Sequence, residues 1–158
     1  MRFSSMVMTA ATALIAACAS DGTTSLKNNV PVDARLVAVA QSPIVRPGDA
    51  FVALDVTVRS NLPETVSGGV CAETVEAKPV SGGTWTNVTA TSVACIQIAA
   101  ILAPGASMTI SALADPTKIQ AVRGLSREVL LRVRHSFVSS TGNARYVLQS
   151  NEITVTMN

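Results

Sequence analysis

The sequence predicts an all-β fold, an antiparallel β-sandwich, on three observations. From Ala34 onward apolar residues alternate with polar ones at a period of two. Gly-, Pro- and Ser-containing turn signals divide that region into runs of ordinary strand length. The region is also long enough to close two sheets over one core: a leader at residues 1–17 leaves 141 of the 158 residues, a single domain by length.

Taken in order, "ARLVAVAQ" is the first strand, ending before Pro43 and the "RPGD" turn, where Asp49 sits. "FVALDVTVRS" follows as the clearest case. Val52, Leu54, Val56 and Val58 share one face, and Ala53, Asp55, Thr57 and Arg59 share the other, so one face meets a core and one meets water. "VCAETVEAKPV" and "TWTNVTA" flank Ser81-Gly82-Gly83 and predict a hairpin. "ACIQIAAIL" leads into Pro104-Gly105, and "SMTISAL" comes next. "REVLLRVRHSFV" and "ARYVLQSNEITVTM" flank "SSTGN", a second hairpin. The expected total is about seven to eight strands.

One segment departs from the period. "DPTKIQAVRG" has Asp115 where an N-cap belongs, Pro116 at the first helical position and Gly124 just past the end. It predicts a short helix near 116–123, crossing one end of the sandwich. No internal repeat is visible.

The opening "MRFSSMVMTAATALIAAC" has a basic start at Arg2 and an apolar run from Met6 to Ala17, well short of the roughly 20 residues a membrane span requires. That is the pattern of a secretory signal peptide. Ile15-Ala16-Ala17-Cys18 also resembles the lipobox of bacterial lipoproteins. The resemblance implies cleavage after Ala17, a diacylglycerol on the Cys18 sulfur and a palmitate-type acyl chain on the new amino terminus. Several acyl chains give stable anchoring where one gives marginal binding. Ala19 and Ser20 stand where Asp is the familiar inner-membrane retention signal in that family, which points to the outer membrane. An ordinary signal peptide with an incidental cysteine is the alternative. The expected organisation is therefore a signal peptide at 1–17, a lipidated terminus and tether at 18–33, and a β-sandwich domain at 34–158.

Without the leader the net charge is +1, against +2 for the whole chain. There is no basic stripe to track a nucleic-acid backbone and no acidic run. Of three cysteines, lipidation of Cys18 leaves Cys71 and Cys95. Outside the cytoplasm such a pair is most simply a disulfide, contributing about 3.5 kcal/mol for a loop of this length; two free thiols are the alternative. A zinc site is not expected, since His135 is the only histidine and no C-x-x-C spacing occurs.

The layout of residues 34–157 resembles the immunoglobulin-like domains of bacterial surface lipoproteins. The resemblance is carried by "LDVTVRSNL", "VCAETVEAKPVSGGTW" with the later Cys95, "LAPGAS", and "LLRVRHSF" with "SNEITV". It implies an immunoglobulin-like β-sandwich. The last two strands contain no cysteine, so the antibody-type bridge is absent.

The chemistry-bearing residues are sparse. A hydrolase needs a nucleophile beside a base, but no G-x-S-x-G stretch occurs and His135 is the only imidazole. By alternation His135 shares a face with Val129, Leu131, Val133 and Phe137, so it is expected as a hydrogen-bonded residue at the edge of the core. Among the carboxylates, Asp49 belongs to a turn, Asp115 to a cap and Asp55 to an exposed face. Glu73 and Glu128, or alternatively Glu76, are the candidates to pair with arginines across strands. No calcium-loop cluster occurs. Trp85, after the Gly82-Gly83 turn, is expected to pack over the disulfide, with an exposed binding anchor as the alternative. Arg132 and Arg134 fall on the face opposite His135 and read as a solvated strand face or, alternatively, an interaction patch.

The function expected is non-catalytic, without cofactor or metal. It is that of a lipid-anchored envelope protein acting as a protein-binding or structural accessory subunit of a membrane-associated assembly. The partners expected are the membrane, through the N-terminal lipid, and a protein; nucleic acid is not. The alternatives are an adhesion or ligand-binding module and a protease inhibitor presenting the "NLPET" loop.

Overall fold

A computed structural model of the chain describes residues 31–43, 49–69, 73–91 and 99–157. Cys18, Cys71 and Cys95, and with them the signal peptide, lipidation and disulfide expectations, lie outside the described residues.

Ten strands and one helix are described: β1 (Leu36–Ala40), β2 (Val52–Ser60), β3 (Val66–Gly69), β4 (Thr74–Pro79), β5 (Thr86–Asn87), β6 (Ala99–Leu102), β7 (Ser107–Ala114), α1 (Pro116–Arg123), β8 (Glu128–Ser139), β9 (Arg145–Gln149) and β10 (Ile153–Thr156). They form two antiparallel sheets. One has the order β1-β2-β7; the other runs β5-β4-β8-β3-β6, with β9 and β10 also on β8. The inward faces meet in a single apolar core, an all-β sandwich. Val52, Leu54, Val56 and Val58 of β2 supply it from one sheet, and Val129, Leu131, Val133 and Phe137 of β8 from the other. β1, β2, β6, β8 and β10 show the alternation that the sequence carries, because a period of two puts every second side chain on the same face of the pleat.

The strand count exceeds the expected seven to eight, largely because long runs are interrupted. β9 and β10 both pair with β8, but Gln149 opposes Arg134 while Ile153 opposes Leu131, so the intervening residues carry one more than their partner strand. This is a β-bulge. Ser150 stabilises it: its N–H donates to the Val133 carbonyl at 2.9 Å, and its hydroxyl accepts the Val133 N–H at 2.9 Å. Asn151 turns outward and accepts the Ala40 N–H at 2.7 Å, stitching the bulge to β1. β3 and β4 likewise both lie on β8. Ser67 opposes Val138 and Thr74 opposes Arg134, so seven steps of one chain match four of the other.

The helix forms as its ends dictate. The Asp115 carboxylate accepts the N–H groups of Thr117 at 2.8 Å and Lys118 at 3.4 Å. Its acidity is raised above that of an ordinary aspartate chiefly by the hydrogen bond from the Thr117 side chain. Gly124 closes the C-terminus at a φ of 60°, which favours glycine. Ile119 enters the core, and Lys118 Nζ donates to the Thr89 carbonyl at 2.8 Å.

The two ends of the sandwich differ. One gathers the start of the described chain, the loop at 61–65, the 103–106 turn and the β8–β9 hairpin, because Leu36 opposes Ser60 and Val66 opposes Ser139. The other gathers Phe51, α1, the β4–β5 hairpin and the C-terminus, because Val52 opposes Ala114 and Pro79 opposes Val129. Phe51, Val80 and Leu125 are exposed there.

Candidate functional site

β4 and β8 bring the outward residues of the larger sheet together. Glu76 opposes Arg132, Thr74 opposes Arg134 and Lys78 opposes Leu130. Arg132 Nε donates to Glu76 Oε2 at 2.7 Å, and both side chains are largely shielded from water. Trp85, delivered by the β4–β5 hairpin that Gly82 and Gly83 turn at positive φ, lies over the arginine. The Arg132 guanidinium lies 4.0 Å from the Trp85 ring centroid and Lys78 Nζ lies 4.5 Å from it. Lys78 also reaches Glu152 at 3.4 Å. An indole attracts cations through its electron-rich faces, and the attraction grows as the pair is desolvated.

The expected residues Trp85 and Arg132 thus meet, and Arg134 lies on the same outward face. The face is not a simply solvated one, because Arg132 is largely covered by the indole. Trp85 is half-buried, and its ring is engaged by two cations. Lys78 and Glu76 complete the cluster. The β4–β8 register and the β4–β5 hairpin bring them to Trp85.

On the inward side two expectations are corrected. His135 is not a hydrogen-bonded residue at the core edge: it is 2% exposed, and among the described residues neither Nδ1 nor Nε2 has a hydrogen-bond partner. Its ring meets Phe137 edge-on at 4.5 Å between centroids. Burial, which disfavours the charged imidazolium, pulls its pKa from 6.5 down to about 4. Among the described residues Glu73 does not pair with an arginine and its Oε1 is buried without a partner, and burial raises the pKa of its carboxyl. The physical reason is register. With Thr74 opposite Arg134, Glu73 is the next residue along and falls on the His135 side of the sheet, away from the arginines. Glu76 does pair as expected, whereas Glu128 has no ion pair among the described residues.

Asp55, Asp33 and Glu64 have structural roles. Asp55 accepts from Ser111 Oγ at 2.5 Å across β2 and β7, and Asp33 is paired with Arg35 at 2.7 Å. The "NLPET" loop is pinned: the Leu62 side chain is in the core, and the Glu64 carboxylate accepts the Tyr146 hydroxyl. Among the described residues no group of three or more His, Cys, Asp or Glu could hold a metal ion, and no helix is long and apolar enough to cross a membrane.

No family model and no curated protein sequence matches the chain. Among solved structures it is similar to the structural-genomics target SoR45, with a TM-score of 0.50 and 9% identity over 80% of this chain and 90% of that one. It is also similar to a Bordetella pertussis chain solved under the name ApaA, with a TM-score of 0.48 and 14% identity over 80% of this chain and 98% of that one. At 9% identity the likeness to SoR45 is one of fold alone.

Proposed function

We propose that the protein is a non-catalytic, lipid-anchored envelope protein that holds an immunoglobulin-like domain near a membrane as a protein-binding or structural accessory subunit. The observation that carries the reading is Ile15-Ala16-Ala17-Cys18, at the end of an apolar run too short to span a bilayer. Cys18 is the proposed acylation site, in the outer membrane by the residues that follow it. The immunoglobulin-like assignment draws support from the strand order. β1 and β7 flank β2 in one sheet, while β8 lies between β9 and β10 on one side and β3 and β4 on the other. The proposed Cys71–Cys95 disulfide draws support from the pairing of Gly69 with Ala99, two and four residues away from the cysteines.

The polarity of the sandwich supports binding at a particular end. The described chain enters at the end carrying the 61–65 loop, so the anchor holds that end toward the bilayer. Phe51, Val80 and Leu125, exposed at the other end, face away and are the proposed contact surface. The indole-covered Arg132–Glu76 pair stiffens the sheet leading to it. The inhibitor alternative ranks lower, because Leu62, the apolar side chain of the "NLPET" loop, is inside the core.

The test is the intact mass of the membrane-extracted protein, with and without reduction and alkylation. A chain beginning at Cys18 with acyl mass, and two thiols that appear only on reduction, is the expected result. An unacylated chain overturns the anchored reading.

A further inference from the structure

The inward face of β8 is apolar at Val129, Leu131, Val133 and Phe137, and His135 interrupts it with two ring nitrogens that have no partner among the described residues. An unsatisfied buried polar group is costly, and such a group in a native fold calls for a cause. Two features surround this one. First, His135 lies where β3 and β4 part company on β8, between the Ser67–Val138 and Thr74–Arg134 pairs. Second, Gly68 makes room for the ring: a Cβ there would lie 2.4 Å from His135 Nε2.

β3 is thinly attached at this place. Its register pairs with β8 are Val66–Ser139 and Ser67–Val138, backed by the Ser140 N–H donating to the Thr65 carbonyl at 3.0 Å. Its other edge carries β6 through four pairs, from Val66–Leu102 to Gly69–Ala99, so β3 and β6 form a ribbon joined to β8 by a two-pair seam and to the core by Val66, Ala100 and Leu102. Among the described residues, the groups facing His135 are few. Glu73 is the titratable one on the β4 side; Gly68 faces it from β3 and Leu148 from β9. Ala100 and Leu102 of β6 and the inward residues of β2 and β7 in the core are uncharged. Arg132 and Arg134 belong to the opposite face.

We propose that His135 is an acid-operated release for this ribbon: a protonated imidazole favours water over an apolar core, so the β3–β6 ribbon lifts from β8 at the seam beneath Gly68. The sign follows from linkage. The closed form binds the proton only near pH 4, whereas a solvated histidine binds it near 6.5, so acidification between those values favours the open form. From pH 7 to pH 5 the open fraction rises about 20-fold, and the gain levels off below the closed-state value. Glu73 works against this. Its buried carboxyl is protonated more readily in the closed form, so its titration favours closure as the pH falls.

The test is amide hydrogen exchange of the purified full chain at pH 7 and pH 5, corrected for intrinsic exchange. Protection at residues 66–68 and 138–140 is expected to fall about 20-fold, while protection at residues 54–58 of β2 stays the same. Glu73→Gln is expected to keep or enlarge the fall, and His135→Leu to abolish it. An equal fall in β2, a fall that survives in His135→Leu, or its loss in Glu73→Gln overturns the proposal. Should His135→Leu fail to fold, the wild type decides, because its single histidine gives one imidazole signal by NMR. A titration midpoint below about 5.5 supports the release, and one above it overturns it.

Discussion

Gly68 and His135 are a complementary pair, one supplying the volume the other fills. Alanine at 68 would set a methyl group 2.4 Å from His135 Nε2 and 3.0 Å from the Ser136 carbonyl, and a backbone oxygen cannot swing aside. Gly68→Ala is therefore expected to cost about 2 kcal/mol, in the range of overpacked cores. The double variant Gly68→Ala, His135→Ala is expected to lose less than the sum of the two single losses, because removing the ring relieves part of the clash. Urea denaturation of the four proteins measures the coupling; strict additivity would show that the two residues do not meet. Alternation alone put His135 on the inward face. Its missing partner was not legible there, because that depends on how many chain residues separate the β3 and β4 registers, and hydrophobic pattern does not encode register excess.

At the scale of elements, two units show how far local sequence reaches. α1 is fully local: its cap, its N1 proline and its terminal glycine stand within ten residues, and the helix runs Pro116–Arg123 as its sequence predicts. Asp115→Ala is expected to lower the midpoint of a denaturant titration, because two helix N–H groups lose their acceptor. The loss should not fall away in high salt, because the cap is a directed hydrogen bond to the Thr117 N–H rather than a screened charge pair. The β4–β8 outer face is the opposite case. Trp85, Lys78, Glu76 and Arg132 come from three strands or turns, and nothing in their sequence spacing announces a stacked cation cluster. Arg132→Ala leaves the largely buried Glu76 carboxylate without its partner, so it is expected to cost about 3 kcal/mol. Replacing both residues by methionine is expected to cost far less, since an apolar pair can pack against the same ring. If the double replacement is as damaging as Arg132→Ala, the ion pair itself stabilises the sheet and the argument from stranded charge fails.

At the scale of the molecule, the geometry of the proposed anchor can be bounded. Nine residues of β2 at about 3.3 Å each separate the two ends of the sandwich by about 30 Å. From Cys18 to Pro31 the chain can extend by at most about 45 Å. If the proposed anchor holds the opposite end toward the bilayer, the end bearing Phe51, Val80 and Leu125 stands about 30 to 75 Å from the lipid, out of reach of headgroups and within reach of another protein. A photo-cross-linking side chain at position 125, in intact membranes, is expected to capture protein and no phospholipid. One at position 141, in the β8–β9 turn at the opposite end, is expected to capture more lipid when residues 22–29 are deleted, because a shorter tether draws that end onto the bilayer. The deletion should leave the position 125 adducts free of lipid, since the rigid sandwich still sets them about 30 Å away. Lipid captured at position 125 in either chain would mean that the domain lies on its side or upside down. The apolar end would then be a membrane contact, not a docking surface for a protein.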